Sequence, residues 1–258
     1  MAEVSSHAPG SFCWPELATS NQEAAKKFYA GIFGWEAHDQ PIPGGTYTIM
    51  WLAGRDVGAC YTLGPHEQGI PPHWNSYVAV VSADETAKKA ADLGGTVLAQ
   101  PFDVFESGRM AILRDPTGAV FCVWQAKKHA GITRIDEPGA LCWTELATTD
   151  TKKAGTFYEQ LFGWRLKVGD ASPMQYTEFI NRGKPIAGMM QIQPEWGPAP
   201  PNWMPYFAVA DCDATAKRAT DLGGSLRVPP SDIPNVGRFS VIRDPQGAVF
   251  AIVKLTAV

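Results

Sequence analysis

The sequence predicts an α+β protein of four βαβββ modules, which form two tandem domains with curved mixed sheets and outer helices. Two observations carry this prediction. Residues 14–35 return as residues 143–164, and the offset of 129 residues (143 minus 14) is half of the 258-residue chain. Within each half, a strand, a capped helix and three further strands are indicated twice. The predicted domains are therefore residues 1–129 and residues 130–258.

The first repeated stretch reads as a strand followed by a capped amphipathic helix. Its strand, SFCWPELAT, has the alternation of a half-buried strand. Ser20 and Glu23 have the spacing of a capping box, and Gly34 predicts a left-handed helix end. Between them, apolar residues recur at helical spacing and predict one buried face. Three strands complete the module, around residues 36–39, 46–52 and 57–62.

The second module repeats this order with a smaller helix. Ser82 and Glu85 predict its capping box, and the glycine pair at residues 94–95 predicts its end. Asp115 opens the sequence DPTG, which fits a type I turn between the last two strands. The strands of this module are predicted at residues 76–81, 96–99, 109–114 and 119–125.

The composition excludes some classes of partner and favours another. The net charge of −4 and the pI of about 5.7 come from scattered charges of both signs, without a basic stripe. This pattern argues against nucleic acid and against an anionic membrane surface. The 9 tryptophans exceed what a core of this size needs, and they favour an aromatic-lined cavity for a small-molecule ligand.

The cysteines and the first residues bear on the compartment. The 5 cysteines include no CxxC pair and fall mostly within apolar strand patterns, so they predict small buried hydrophobes in a reducing compartment. The opening residues lack the basic and apolar regions of a signal peptide, and no apolar run is long enough to span a bilayer. The expectation is a cytoplasmic protein.

Three motifs carry a family resemblance, and each occurs in both halves. They are FYxxxFGW at the helix end, the strand–helix–GlyGly unit, and RDPxGAVF at the last hairpin. Together they resemble the vicinal oxygen chelate superfamily, the group of glyoxalase I, bleomycin-resistance proteins and extradiol dioxygenases. The resemblance implies glyoxalase-like domains in which paired modules curl into a cup, with the ligand on the concave face.

The resemblance also implies where metal ligands would lie. Metal-bearing members use His, Gln or Glu on the first strand of each module and Glu on its last strand. The matching positions are Trp14, Asn75, Cys122, Trp143, Met204 and Ala251. None is a histidine or a carboxylate, the donors that such a divalent site needs. We therefore predict no cofactor, with a displaced divalent metal as the alternative, and assign these positions, except Ala251, to ligand binding.

Glu16 and its copy Glu145 are the candidate catalytic residues. Strand alternation places Glu16 on the same face as Trp14, so that it lines the cup if Trp14 takes the ligand position. A carboxyl beside tryptophan in an apolar cup suits a base, an acid with a raised pKa, or an anchor for a cationic or hydroxylated ligand. The structural alternative is a carboxylate that pairs with Arg109 or caps backbone amides.

Six further side chains are candidates for ligand contact, because they lie on strands predicted to face the cups. They are Tyr47, Tyr77, Arg109, Tyr176, Tyr206 and Arg238. The tyrosines offer hydroxyl groups on rigid rings, which suits ligand orientation and also ordinary core packing. The two arginines lie in the sequence GRxxxxRDP and are expected to reach the cups.

These observations favour a binding protein whose metal-free cups hold a small apolar or aromatic molecule, as bleomycin-resistance proteins do. The alternative is a lyase, dioxygenase or hydroxylase-type enzyme, with a displaced metal site or with Glu16 and Glu145 as acid and base. A third hypothesis is an interaction protein with an antigen-like surface. The tandem chain supplies its own pairing of modules, so a monomer or a homodimer is expected.

Overall fold

The computed structural model describes residues 4–169 and 175–256. In that part of the chain the strands form two sheets of eight. The strands of the first sheet are β1 (Phe12–Thr19), β2 (Glu36–Ile42), β3 (Gly45–Leu52), β4 (Arg55–Thr62), β5 (His73–Ala79), β6 (Thr96–Val104), β7 (Gly108–Arg114) and β8 (Val120–Ala126). Those of the second sheet are β9 (Leu141–Thr148), β10 (Arg165–Val168), β11 (Tyr176–Asn181), β12 (Lys184–Gln191), β13 (Asn202–Ala208), β14 (Ser225–Ile233), β15 (Gly237–Arg243) and β16 (Val249–Leu255). The α-helices are α1 (Gln22–Phe33), α2 (Ala83–Asp92), α3 (Thr151–Phe162) and α4 (Cys212–Asp221).

Each sheet joins two modules through their first strands. Strand β1 lies between β4, to which it is parallel, and β5, to which it is antiparallel. The full order is β2-β3-β4-β1-β5-β8-β7-β6, and the second sheet repeats it as β10-β11-β12-β9-β13-β16-β15-β14. Four βαβββ modules in two mixed sheets confirm the predicted α+β class.

Helix α1 begins one residue later than the sequence predicts. Asn21 is the N-cap, because its side-chain oxygen accepts a hydrogen bond from the backbone N–H of Ala24 at 3.0 Å. The predicted capping box of Ser20 with Glu23 is therefore wrong. Serine and asparagine cap equally well, so the start of the helix follows from the register that buries its apolar face. The predicted left-handed end at Gly34 is confirmed, with a φ of 72°.

The second module follows its prediction more closely. The Ser82 side chain caps α2 by accepting the backbone N–H of Glu85 at 3.2 Å. Asp115 accepts the backbone N–H groups of the turn that it opens, which confirms the turn. Strand β5 begins at His73, three residues before its predicted start, because residues 73–75 pair with β1.

The helices cover one face of each sheet, and these two faces pack against each other. Phe33 of α1 contacts Phe207 of the second sheet, with ring centroids 5.2 Å apart. Phe157 of α3 contacts Phe121 of the first sheet at 6.2 Å in the same way. The helices therefore lie along the contact between the domains, each with an exposed outer side, and the helix-free faces of the two sheets point away from each other. None of the helices in the described residues is long and apolar enough to cross a bilayer.

Candidate functional site

Glu16 is the centre of a buried hydrogen-bonded cluster on the helix-free face of the first sheet, and it is only 7% exposed. Tyr47 donates its hydroxyl to Oε1, and Tyr77 donates its hydroxyl to Oε2, both at 2.8 Å. Asn75 donates a side-chain N–H to Oε2 at 3.3 Å, and Trp14 donates its indole N–H to the Tyr47 hydroxyl at 3.0 Å. Five residues that the sequence assigns to one cup therefore meet in one network.

Strand pairing explains how these side chains meet. Trp14 and Glu16 alternate onto one face of β1, and β5 places Tyr77 opposite Trp14 and Asn75 opposite Glu16. Tyr47 comes from β3, which β4 separates from β1. Neighbouring strands lie about 4.8 Å apart, so the long tyrosine side chain reaches across β4 to Glu16. This face of the first sheet is called cup 1 below.

The second sheet builds the same cluster around Glu145, which is 6% exposed, and this face is called cup 2. Tyr206 donates its hydroxyl to Oε1 at 2.7 Å, and Tyr176 donates its hydroxyl to Oε2 at 2.9 Å. Trp143 donates its indole N–H to the Tyr176 hydroxyl at 2.9 Å. Met204 lies opposite Glu145 in the place of an asparagine, and it supplies no donor. The carboxyl and its two phenols are therefore common to both cups.

Burial controls the protonation of these groups. It raises the pKa of Glu16 and of Glu145, and this effect outweighs that of the phenol hydrogen bonds, which lower the pKa. Burial and the nearby carboxyl also raise the pKa of each of the four tyrosines, so their hydroxyls stay protonated and donate. In the described residues, no Lys or Arg forms an ion pair with either carboxyl. Such a carboxyl attracts a cation or an N–H donor and titrates closer to neutral pH than a free one.

The prediction that Arg109 and Arg238 reach the cups is wrong. Arg109 donates to the carboxylate of Asp84 on α2, at 2.6 and 2.9 Å, so its side chain lies on the helix-bearing face of the sheet. The next residue on β7, Met110, turns instead toward the Tyr77 hydroxyl in cup 1. Arg238 repeats the arrangement with Asp213 at 2.6 Å. The alternation along β7 and β15 therefore directs each arginine to an acidic helix start, away from the buried carboxyl.

Cys122 lies in cup 1, opposite Tyr77 on the neighbouring strand β8, and it is fully buried. Burial raises the pKa of its thiol well above the ordinary value, and the residue packs as a small apolar part of the cup. Two further residues of cup 1, Trp124 and His129, were not predicted from the sequence. They cover one end of cup 1. The sequence does show that the two halves differ here, because the copy of Trp124 is Val253.

A family model described as the Glyoxalase/Bleomycin resistance protein/Dioxygenase superfamily matches residues 12–123 and again residues 140–252. The chain belongs to this superfamily. Each of the two matches falls within one sheet and its helices, so the superfamily model recognises the same duplication that the sequence repeat indicates. The predicted resemblance is confirmed.

Two relatives in the superfamily match this chain over nearly its full length. CFP32 of Mycobacterium tuberculosis, whose name as a glyoxylase is provisional, is 40% identical over 257 residues, which are 98% of each chain. DauV of Streptomyces sp. strain C5 is named an anthracycline biosynthesis protein. It is 36% identical over 263 residues, and the match covers 96% of this chain and 94% of DauV.

Solved structures of superfamily members have the same fold. The Mn(II)-bound glyoxalase from Novosphingobium aromaticivorans superposes with a TM-score of 0.67 and 16% identity, over 95% of this chain and 82% of that chain. The 2,3-dioxygenase LapB from Pseudomonas sp. KL28 superposes with a TM-score of 0.66 and 13% identity, over 97% of this chain and 94% of that chain. At such identities the comparison shows a common fold and leaves the reaction open.

The donors in the two cups do not fit the divalent ion that metal-bearing superfamily members hold. Glu16 is the one carboxylate of its cluster, and its partners are phenols and a carboxamide. Within residues 4–169 and 175–256, no three His, Cys, Asp or Glu side chains come together as an ion site. His73, at the start of β5, contacts the carbonyl of Pro71 through Nδ1 at 2.9 Å. The chemistry available in the cups is therefore that of a carboxyl and its phenols.

Proposed function

We propose that this protein binds a small, largely apolar or aromatic molecule in a concave cup, without a metal ion, and that the buried carboxyl is its polar contact. One observation carries the proposal: both domains bury a carboxyl group that has phenol partners and, in the part of the chain that the structure describes, no Lys or Arg partner. Burial of an unpaired carboxyl costs free energy that an apolar residue would avoid. A ligand with a cationic or N–H group offsets that cost when it binds.

The name of one relative supports the aromatic part of this proposal. DauV is named for the biosynthesis of anthracyclines, which are polycyclic aromatic compounds. An indole lies beside the carboxyl in each cup, and that of Trp143, which is half-buried, offers a flat apolar surface to such a ring. The same proposal places the protein in the cytoplasm, gives it no nucleic-acid partner, and makes it a monomer or a homodimer.

The raised pKa of Glu16 and Glu145 favours a second candidate function, an enzyme of the lyase, dioxygenase or hydroxylase type in which these carboxyls transfer protons. The adjacent tyrosine hydroxyls would hold a substrate oxygen. This function is tested with a panel of small carbonyl compounds in D₂O. Proton NMR measures the exchange of hydrogens next to the carbonyl, and the double variant Glu16→Gln/Glu145→Gln abolishes the exchange if the carboxyls are the bases.

Binding is tested by calorimetric titration of planar aromatic compounds into the wild type and into the double variant Glu16→Gln/Glu145→Gln. We expect saturable binding to the wild type and at least tenfold weaker binding to the double variant. Glu159→Gln, which changes an exposed carboxyl on α3, is the matched control and leaves the affinity unchanged. Equal affinity of all three proteins would place the ligand elsewhere and contradict the proposal.

A further inference from the structure

The two cups contain matched residues but differ in how far these residues are buried. Cys13 and Trp14 are buried at 0% and 7% exposure, whereas their copies Cys142 and Trp143 are half-buried. The same holds on β7, three strands from β1, where Met110 is buried and its copy, Phe239, is half-buried. Because both sheets have the same strand order, the difference reflects what covers each cup.

The connection between the domains covers cup 1. Trp124 lies in this cup and donates its indole N–H to the carbonyl of His129 at 2.9 Å. The His129 ring packs edge-on against Trp14, with centroids 4.7 Å apart. The chain then crosses β1, where the backbone N–H of Ile132 bonds to the carbonyl of Cys13 at 2.8 Å. These contacts close the end of cup 1 at which a ligand would meet Trp14.

Cup 2 lacks this cover among the residues that the structure describes. Val253 stands where cup 1 has Trp124, so cup 2 lacks the indole ring that fills this part of cup 1. The side chains around Glu145 form a separate apolar cluster that is open in part to solvent. Its half-buried members are Cys142, Trp143, Met204, Val228, Phe239 and Val249. A buried carboxyl beneath half-buried apolar and aromatic side chains has the composition of a small-molecule site.

The carboxyl of cup 2 also has more free acceptor capacity. Glu16 accepts from two phenols and from Asn75, whereas within the described residues Glu145 accepts from two phenols, because Met204 replaces the asparagine. An ionised carboxylate offers about four acceptor positions, so about two remain open on Glu145. Glu178, two residues after Tyr176 on β11, pairs with Lys167 at 2.8 Å.

We propose that cup 2 is the ligand site, with one ligand per chain, and that it takes a flat aromatic amine whose N–H or ammonium group hydrogen-bonds to Glu145. Cup 1 is a closed copy that stabilises the domain. This inference rests on the proposed function and sharpens it, because it names the cup, the stoichiometry and the group on the ligand that is recognised.

The test uses 9-aminoacridine as the probe and acridine-9-carboxylate as its anionic counterpart. Calorimetry with the wild type is expected to give one site per chain for the amine and at least tenfold weaker binding of the carboxylate. Glu145→Gln weakens binding of the amine tenfold or more, whereas Glu16→Gln changes it less than twofold. Circular dichroism and thermal unfolding of each variant show whether the fold is retained.

A second variant, Val253→Trp, gives an independent arm that leaves the carboxyl in place. It puts into cup 2 the side chain that fills cup 1, and we expect it to abolish binding of the amine. Two sites per chain, or equal losses of affinity with Glu16→Gln and Glu145→Gln, would overturn the inference that cup 2 alone binds the ligand. Either result would still place binding in the cups. Absence of saturable binding, or binding indifferent to both carboxyls, would overturn the proposed function itself. A dimer that Val253→Trp dissociates in a sedimentation experiment would show a second copy in cup 2 and overturn the inference.

Discussion

Tyr29 in the first domain donates its hydroxyl to the Oδ2 atom of Asp244 in the second domain, at 3.0 Å, and both residues are buried. The other carboxylate oxygen of Asp244 accepts backbone N–H groups of the β15–β16 turn. Tyr158 and Asp115 repeat the bond in the opposite direction, also at 3.0 Å. Each domain therefore orders a hairpin turn with one oxygen of an aspartate and holds a helix of the other domain with the second.

Tyr29→Phe is expected to lower the free energy of unfolding by about 1–3 kcal/mol, since a buried carboxyl loses its only phenol donor. Burial already raises the pKa of Asp244, and the Tyr29 hydrogen bond counteracts this rise. Urea denaturation measures the loss. Tyr61→Phe is the control, because that hydroxyl bonds to Glu67 at a half-buried site near the surface. Equal effects of the two substitutions would mean that the contact between domains adds nothing.

The repeat predicted the modules, and alternation along the first strand predicted that Trp14 and Glu16 share a face. The first prediction follows from the duplication of motifs along the chain, and the second from the two-residue period of a strand. Tyr29 and Asp244 are 215 residues apart, and neither residue carries a local signal for the other. The packing of the two helix-bearing faces against each other could therefore not be predicted from the sequence.

The direction of Arg109 could not be predicted for a related reason. A shift of one residue along a strand exchanges its two faces, and β6 and β7 pair with register shifts. The structure puts Met110 into cup 1 and Arg109 against Asp84. The cover over cup 1 was missed because His129 lies in the connection between domains, where neither strand nor helix periodicity applies.

The raised pKa of Glu16 and Glu145 predicts a pH dependence of stability. Below the ordinary glutamate pKa of about 4.3, both carboxyls are protonated in the folded and unfolded chain, and this contribution to stability is complete. As the pH rises from there through the raised pKa, the unfolded chain releases its protons first, so stability is lost. Glu16→Gln/Glu145→Gln removes this loss.

Urea denaturation of the wild type and of the double variant between about pH 4 and pH 8 isolates this contribution from that of other groups. The variant should gain stability relative to the wild type as the pH rises, by about 1.4 kcal/mol for each unit by which the native pKa is raised. Parallel curves over the whole range would show that the two carboxyls titrate alike in the folded and unfolded chains.

Gly188→Ala is expected to displace Tyr176 from Glu145. A Cβ atom at residue 188 would lie 1.7 Å from the Tyr176 hydroxyl oxygen. The tyrosine ring therefore crosses β12 at a position where only the hydrogen of a glycine fits. The matched residue in the first domain is Ala59, which shows that Tyr47 reaches Glu16 along a different path. We expect a loss of about 1–3 kcal/mol in the free energy of unfolding.

Gly45→Ala is the matched control for this substitution, because a Cβ atom there meets nothing within 4 Å. Thermal unfolding of both variants, with a crystal structure of Gly188→Ala, measures the effect and the position of the phenol. An unchanged bond between Tyr176 and Glu145 in that structure would contradict the prediction.

Gly131→Ala is expected to lift the interdomain connection from cup 1. Residue 131 has a φ of 122°, and a Cβ atom there would lie 2.4 Å from the carbonyl oxygen of Cys13. That carbonyl accepts the N–H of Ile132, so the clash breaks the bond that fixes the connection to β1. Gly44→Ala is the control. Its φ of 86° gives it the same kind of backbone strain, but a Cβ atom there meets nothing within 4 Å and so causes no clash.

Hydrogen exchange at the Ile132 amide and quenching of tryptophan fluorescence by acrylamide measure this opening. Gly44→Ala carries the left-handed strain of about 1–2 kcal/mol and leaves both signals as in the wild type. Gly131→Ala speeds exchange at Ile132 and exposes Trp14, because the His129 ring moves away with the chain. If the connection alone keeps a ligand out of cup 1, the same variant binds a second 9-aminoacridine, and Glu16→Gln then abolishes that second site. Unchanged exchange at Ile132 would mean that cup 1 is closed by Trp124 and its neighbours without help from the connection.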